Sequence, residues 1–399
     1  MTNILPNAPK VPTRPVGRTS TSILQLGWWQ AGGPPYFPLS DINDLIEVRR
    51  VCAERGVTHD CAPAYGKGLS EMLMYVSYCY LEDAWRAAGL RSRREGDPIF
   101  TKCGLYWPRD GRMGTHADMH RSPDRHLGRV PESVGPEDVQ QLILGEFEAS
   151  CTRLNVDYIH GYMLHWPLTK GGGTEPAMDW MLEGVLPAFA RLWRDKRVGA
   201  IGFANVDLKI LAPLQKKARE LAQAMGADGE GFAVHFIQND RSMLGVDVHG
   251  GPFGARDILH GELADFCARE GIMRMAYSSL GHGPPLPPAG PFVYVDHWPQ
   301  PREQQREMYE YRKAFHAKFA ALAAALGCTS PQMGLAWLMA HDLVPVFSAT
   351  NVKFLVEDID SVNYIDAVRG ALPRIEALCE EYRAGLGQIV AKYQTRAKW

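Results

Sequence analysis

Eight short apolar runs recur along the chain, with polar or aromatic residues toward their C-terminal ends and longer amphipathic stretches between them. The runs read SILQLGWW, GVTHDCA, PIFTKCG, DYIHGYMLHWP, VGAIGFAN, FAVHFIQN, IMRMAYSSL and LVPVFSAT. Segments such as DINDLIEVRRVCAERG, PEDVQQLILGEFEASCTRLN and FHAKFAALAAALG separate them and carry helical patterning. Eight strand–helix units in succession predict an α/β protein whose parallel strands close into a (β/α)8 TIM barrel. An open dinucleotide-binding sheet would carry Gly-x-Gly-x-x-Gly after its first strand, and that signature is absent here. A chain of 399 residues suits one barrel with insertions. The expected domain runs over 14–386, with 1–13 and 387–399 as loose termini.

Three connections are too long for plain turns, roughly 103–136, 166–180 and 281–305. Each follows a strand, so a barrel puts each on its C-terminal face, where active sites form. Long loops there act as lids or pocket walls. The formal net charge of −2 offers no basic field for nucleic acid or anionic lipid. The basic run Arg91–Arg94 reads as a solvent-facing loop or helix end. Eight scattered cysteines form no CxxC pair and read as buried thiols of a reduced compartment. The first residues lack a long apolar core, and no window holds eighteen uninterrupted apolar residues. A cytoplasmic location is the expectation. His116, His120 and His126 have tempting spacings, but no cysteine or carboxylate joins them in a fixed pattern, so no metal site is expected.

The strand ends carry the chemistry. Asp60 and Tyr65 follow the second run, Lys102 ends the third and His165 the fourth. Asn205 ends the fifth, Gln238 lies at the end of the sixth, and Tyr277 with Ser278 at the end of the seventh. Barrel geometry turns all of these toward one mouth. Singly, each has a plain structural explanation; at successive strand ends, packing alone does not explain them. Together they suit carbonyl reduction. Hydride added to a carbonyl carbon leaves an alkoxide that needs a proton. A tyrosine hydroxyl is a reluctant donor at its free pKa near 10, and a nearby ammonium eases the release. Lys102 is placed for that, Asp60 can hold the ammonium, and His165 can orient the carbonyl oxygen.

These residues sit in segments that resemble the aldo-keto reductase family. HDCAPAYGKGLSE is similar to its Asp, Thr-Ala, Tyr-Gly segment, and IFTK and YMLHWP to its lysine and histidine strands. IGFAN, AYSSLGHG and LGCTSPQMGLAWLMAH resemble its later strand ends and the helix before its last strand. RPVGRTSTSILQLGWW resembles its N-terminal β-hairpin and first strand. The resemblance spans about 14–365 in the right order. It implies Asp60, Tyr65, Lys102 and His165 as a catalytic tetrad. It implies Asn205 and Gln238 on the nicotinamide carboxamide, with the nicotinamide stacked on Tyr277 beside Ser278. NADP(H) is the cofactor the resemblance favours.

Four departures shape that expectation. GVTHDCA is one residue shorter before Asp60 than the family strand, which predicts either a bulge or an offset Asp60. Ala204 replaces a serine before Asn205. At the adenosine end, Ser348, Phe354 and Asp358 stand where many members place basic or amide groups. A phosphate near Asp358 without a guanidinium is unfavourable, although Lys353 is close by, so NAD(H) is the rival cofactor. Finally, the loops are large. Trp28, Trp29, Tyr106, Trp107 and Trp166 are expected in the substrate pocket, with Trp180 and Trp298 in or beside the loops. Such aromatics suit a small carbonyl or sugar. The departures leave a second reading open, in which the same pocket serves dehydration, rearrangement or a regulatory subunit. No heptad signals self-pairing, and the oligomeric state is open.

Overall fold

Alternation along a strand sends successive side chains to opposite faces, so residues two apart share the lumen of a barrel. The computed structural model describes residues 9–33, 37–82, 97–105, 129–130, 134–170, 175–245, 254–281 and 300–396. Its strands are β1 (Thr13–Val16), β2 (Thr19–Ser22), β3 (Gln25–Gly27), β4 (Thr58–Asp60), β5 (Ile99–Cys103), β6 (Arg129–Val130), β7 (Ile159–Leu164), β8 (Thr169–Lys170), β9 (Val198–Ala204), β10 (Phe236–Asp240), β11 (Met273–Tyr277) and β12 (Val344–Phe347). Eight of them close into a parallel barrel in the order β3-β4-β5-β7-β9-β10-β11-β12. Each of the eight apolar runs supplies one barrel strand. The hairpin β1–β2 is antiparallel, and β6 with β8 forms a separate parallel pair.

The lumen is filled from below. Val16, Phe100, Met163, Ala200, Phe236, Met275 and Val346 pack there in one cluster. The Phe100 and Phe236 rings meet edge-on at 5.2 Å. A Cβ on Gly161 or Gly202 would fall 2.0 or 2.4 Å from those rings, so these two glycines make room for the two phenylalanines. Val16 carries the hairpin into this plug. Its turn sits on β9: Gly17 has φ +56°, a Cβ there would lie 2.4 Å from the Gly199 carbonyl, and Arg18 N donates to that carbonyl at 2.8 Å. Above the plug, Lys102 follows Phe100, Gln238 follows Phe236 and Tyr277 follows Met275, each two residues on. Strand parity therefore delivers the polar ring onto an apolar floor.

Helices surround the barrel. Their starts follow capping chemistry: Asp41 and Asp207 accept from backbone N–H groups, and Thr329 with Gln332 forms a capping box at the SPQ segment. The C-terminal residues differ from the expectation of a loose tail from 387 onward. A helix runs over Leu372–Arg396 and packs on the helix Arg302–Ala325, with Tyr311 and Tyr382 stacked at 5.5 Å. Ile389 is buried and Tyr393 donates to Glu307 at 3.0 Å. Apolar anchors at this spacing hold the tail down. Among the described residues, no single helix is long and apolar enough to cross a membrane. All eight cysteines are free thiols, and only Cys79 is exposed.

Candidate active site

The site begins at the ends of β4 and β5. Lys102 is fully buried and donates to Asp60 Oδ1 and, at 2.8 Å, to the Cys61 carbonyl. The register pairs Gly27 with Asp60 and Asp60 with Phe100. Asp60 thus stands in the ladder, with its carboxylate bonded to Lys102 and Gln238. The Lys102 ammonium lies 5.1 Å from the centre of the Tyr65 ring. The His165 ring stands edge-on to Tyr65, centres 5.7 Å apart. Four groups from three strands and one turn therefore converge at one place.

Tyr65 rides on a tight turn, its N–H donating to the Ala62 carbonyl at 3.1 Å. Gly66 has φ +62°, and a Cβ there would sit 2.1 Å from the Gly32 carbonyl. A Cβ on Gly32 would sit 2.9 Å from the carbonyl carbon of Tyr65. Two glycines thus let the segment after β3 press directly on the turn that holds the tyrosine. The phenol is buried, and burial pushes its pKa well above the usual value, with Asp60 and Cys61 adding in the same direction. It is therefore protonated at neutral pH, the form that can donate.

A second arc lies across the mouth. Asn205 Nδ2 donates to the His165 carbonyl at 3.0 Å, and Tyr277 OH donates to Asn205 Oδ1 at 2.6 Å. Gln238 Nε2 donates to Asp60 Oδ2 at 2.8 Å. Asn205 and Ser278 both have left-handed backbones, φ +61° and +51°. Non-glycine residues held this way store strain, which clusters at functional sites. Ser279 pins this corner, donating to the Ala276 and Val346 carbonyls, both at 2.8 Å.

The donor set fits a nicotinamide. Gln238 Oε1 has no hydrogen-bond partner among the described residues, so an acceptor is available for a carboxamide N–H. Tyr277 is a half-buried ring at the same rim. Farther out, Ser348 leans over Gly27, where a Cβ would meet its hydroxyl at 3.2 Å. The helix Val352–Ile359 starts with Asn351 as its cap, exposes Lys353 and Phe354, and buries Asp358. Burial, with Glu357 adding to it, pushes the Asp358 carboxyl up to about 8. Asp358, expected beside the cofactor phosphate, is a buried side chain of this helix and not an exposed one.

The pocket aromatics divide. Trp29 is half-buried and meets Phe37 edge-on at 5.0 Å. Trp166 packs against Ala64 and Leu105 beside the Tyr65 turn. Trp28, expected in the pocket, belongs instead to the core between barrel and helices. Both residues lie beyond the end of β3, and the chain turns at Trp29, which has a helical backbone and caps the short helix Gln30–Gly32. The Trp28 indole N–H donates to His59 Nδ1 at 3.0 Å, and His59 Nε2 lies 3.3 Å from Asp97, which pairs with Arg49. Trp180 is likewise buried in the core. Tyr106, Trp107, Trp298 and the three histidines His116, His120 and His126 lie outside the described residues.

Sequence reasoning missed the support behind β5. Thr101 donates to Glu71 at 2.8 Å, Arg153 donates to the same carboxylate at 2.6 Å, and Gly104 N donates to Glu146 at 2.7 Å. These bonds fix the strand on both sides of Lys102. Glu146 lies three and four residues after Ile143 and Leu142 in an amphipathic pattern, and nothing in that pattern marks a buried acid. A separate cavity of about 630 Å³ at the opposite barrel end is lined by Asp97, Glu148, Tyr158, His160 and Arg197. Arg197 is already paired there with Glu148 at 3.0 Å.

The chain is similar to known proteins over most of its length. The model of the aldo/keto reductase family matches residues 23–380. An NADH-specific methylglyoxal reductase of Escherichia coli is 25% identical over 363 residues, covering 88% of this chain and 93% of the relative. A glycerol dehydrogenase from Gluconobacter oxydans superposes with a TM-score of 0.59 at 18% identity, over 92% of this chain and 95% of that one. An aldo-keto reductase from Klebsiella pneumoniae, solved with NADPH, gives 0.54 at 19% identity, over 91% and 93%.

Proposed function

Since the chain belongs to the aldo/keto reductase family and is an oxidoreductase, we propose that it reduces small carbonyl compounds with a nicotinamide cofactor, Tyr65 giving the proton. The convergence of Asp60, Lys102, Tyr65 and His165 on an apolar floor is the observation that carries this reading. A bound reduced nicotinamide supplies hydride to the carbonyl carbon, and Asn205, Gln238, Tyr277 and Ser278 would hold its ring. The developing alkoxide takes the Tyr65 proton. The phenolate left behind faces the Lys102 ammonium, which Asp60 and the Cys61 carbonyl keep oriented. His165, edge-on to Tyr65, orients the carbonyl oxygen. Trp29 and Trp166 wall the pocket, while the apolar floor excludes water from below.

Both NADH and NADPH are compatible with the adenosine end. Lys353 offers the 2′-phosphate an exposed cation, and Asp358 is buried. The relative named for methylglyoxal makes an α-oxoaldehyde the first substrate to try, followed by ketones and open-chain sugars. Asp60 stands in register with a paired carboxylate, which supports the redox reading over a non-redox one. The test is Tyr65→Phe. It should abolish reduction of every accepted carbonyl while nucleotide binding persists; unchanged turnover would refute the role.

A further inference from the structure

One bond at the mouth spans the barrel. In the closed order, β10 and β4 are four steps apart in either direction, so they face each other across the lumen. Gln238 on β10 nevertheless donates to Asp60 on β4 at 2.8 Å. The two oxygens of Asp60 are thereby divided, Oδ1 to Lys102 and Oδ2 to Gln238. All three side chains are buried, with Gln238 and Asp60 each 2% exposed and Lys102 at 0%. A carboxylate with both oxygens engaged cannot rotate, so the direction in which it holds the ammonium is set from two sides of the barrel. The other end of the same amide, Gln238 Oε1, has no partner among the described residues.

We propose that Gln238 is a positioning residue with two ends: its N–H clamps Asp60, and its carbonyl meets the nicotinamide carboxamide, so that nucleotide binding tightens the Asp60–Lys102–Tyr65 chain. This rests on the proposed function in taking a nicotinamide as the ligand. The amide cannot be reversed on Asp60, because an ionised carboxylate only accepts. A nucleotide that engages the carbonyl end therefore leaves the donor end on Asp60 and restricts the side chain further. Tyr65 receives this order through Lys102, 5.1 Å from its ring. Gln238 itself does not touch the reacting atoms.

The experiment is a double-mutant cycle in the full chain, read in two ways: the single-turnover hydride-transfer rate with methylglyoxal, and the Kd of NADH from its fluorescence in the absence of carbonyl. Gln238→Met keeps the side chain's length and removes both polar ends. It should weaken NADH binding and also slow hydride transfer at saturating nucleotide by about tenfold or more. In an Asp60→Asn background the rate effect should shrink to under about threefold, while the Kd effect stays. Asn205→Ala serves as the contrast, weakening binding without this coupling to Asp60. Equal rate losses in both backgrounds, or a Kd effect with no rate effect, would overturn the proposal.

Gln238→Glu keeps the proposal testable if the methionine variant does not fold. Its introduced carboxyl, when protonated, can donate to Asp60 as the amide does; when ionised, it repels Asp60. Among the described residues, the titratable groups linked to that position by hydrogen bonds are Asp60 and, through it, Lys102. The rate should recover on the acid side and fall toward neutrality, relative to the wild type at each pH. A constant ratio between variant and wild type would overturn the proposal. Failure of the proposed function itself would show separately, as a wild-type protein that binds no nucleotide or a Tyr65→Phe variant that still turns over.

Discussion

The two halves of the mouth are built differently. On the reacting half, Asp60, Tyr65, Lys102 and His165 are all buried, and their contacts run to strand backbone and to one another. On the adenosine half, Lys353 and Phe354 stand exposed on the helix after β12, Glu357 is half-buried, and Asp358 is turned inward. A buried polar group without its partner is costly, so the reacting half tolerates little change. Exposed groups contribute little each, so the adenosine half can vary and set cofactor preference.

Substitutions can break or sharpen that contrast. The largest effect is expected from Tyr65→Phe, with a loss in turnover of about hundredfold to ten-thousandfold and nucleotide affinity retained. Lys102→Met comes next. It leaves Asp60 buried without its cation, and both turnover and stability should fall, the latter by about 3–5 kcal/mol in denaturant unfolding. Gly66→Ala tests the turn under Tyr65. The added Cβ collides with the Gly32 carbonyl, and φ +62° disfavours it, so a loss of about 1–3 kcal/mol is expected together with reduced kcat.

Glu146→Gln should show a milder, pH-dependent effect. Burial pushes the Glu146 carboxyl up to about 8, outweighing the Gly104 N–H and Arg153. The folded state therefore holds this proton more tightly than the unfolded chain, where the value is about 4.3. That stabilisation is complete below the unfolded value and is lost as pH rises through about 8. The glutamine variant lacks the loss, so its denaturation midpoint should gain on the wild type between about pH 5 and about pH 9. A constant difference would contradict the burial argument. Lys353→Glu is the smallest change expected. It should weaken NADPH by less than about tenfold and NADH hardly at all, which would place the 2′-phosphate near that residue.

Much of the reacting half was legible because it depends on two local rules. Apolar runs mark strands, and polar residues at their ends mark the mouth. That rule stops at the end of β3: beyond Gly27 the chain turns, Trp28 is buried in the core and Trp29 is half-buried at the start of a short helix. Motif likeness alone had put both in the pocket. Pairs distant in sequence were not legible. Nothing local announces that Asp97 meets His59, that Glu146 caps the backbone after Lys102, or that Gln238 reaches Asp60. The burial of Asp358 was not legible for a related reason, since it depends on which face of a short helix meets its neighbours. The tail from 387 carries its anchors Ile389 and Tyr393 in sequence, but their partner helix lies some eighty residues upstream.

The most direct measurement is single-turnover reduction of methylglyoxal by wild type and Tyr65→Phe at saturating reduced nucleotide, with nucleotide Kd measured on the same samples. The structure predicts matching Kd values and a hydride-transfer rate at least about hundredfold lower in the variant. Equal rates would show that the proton comes from elsewhere and that the convergence on Tyr65 is not the reacting centre.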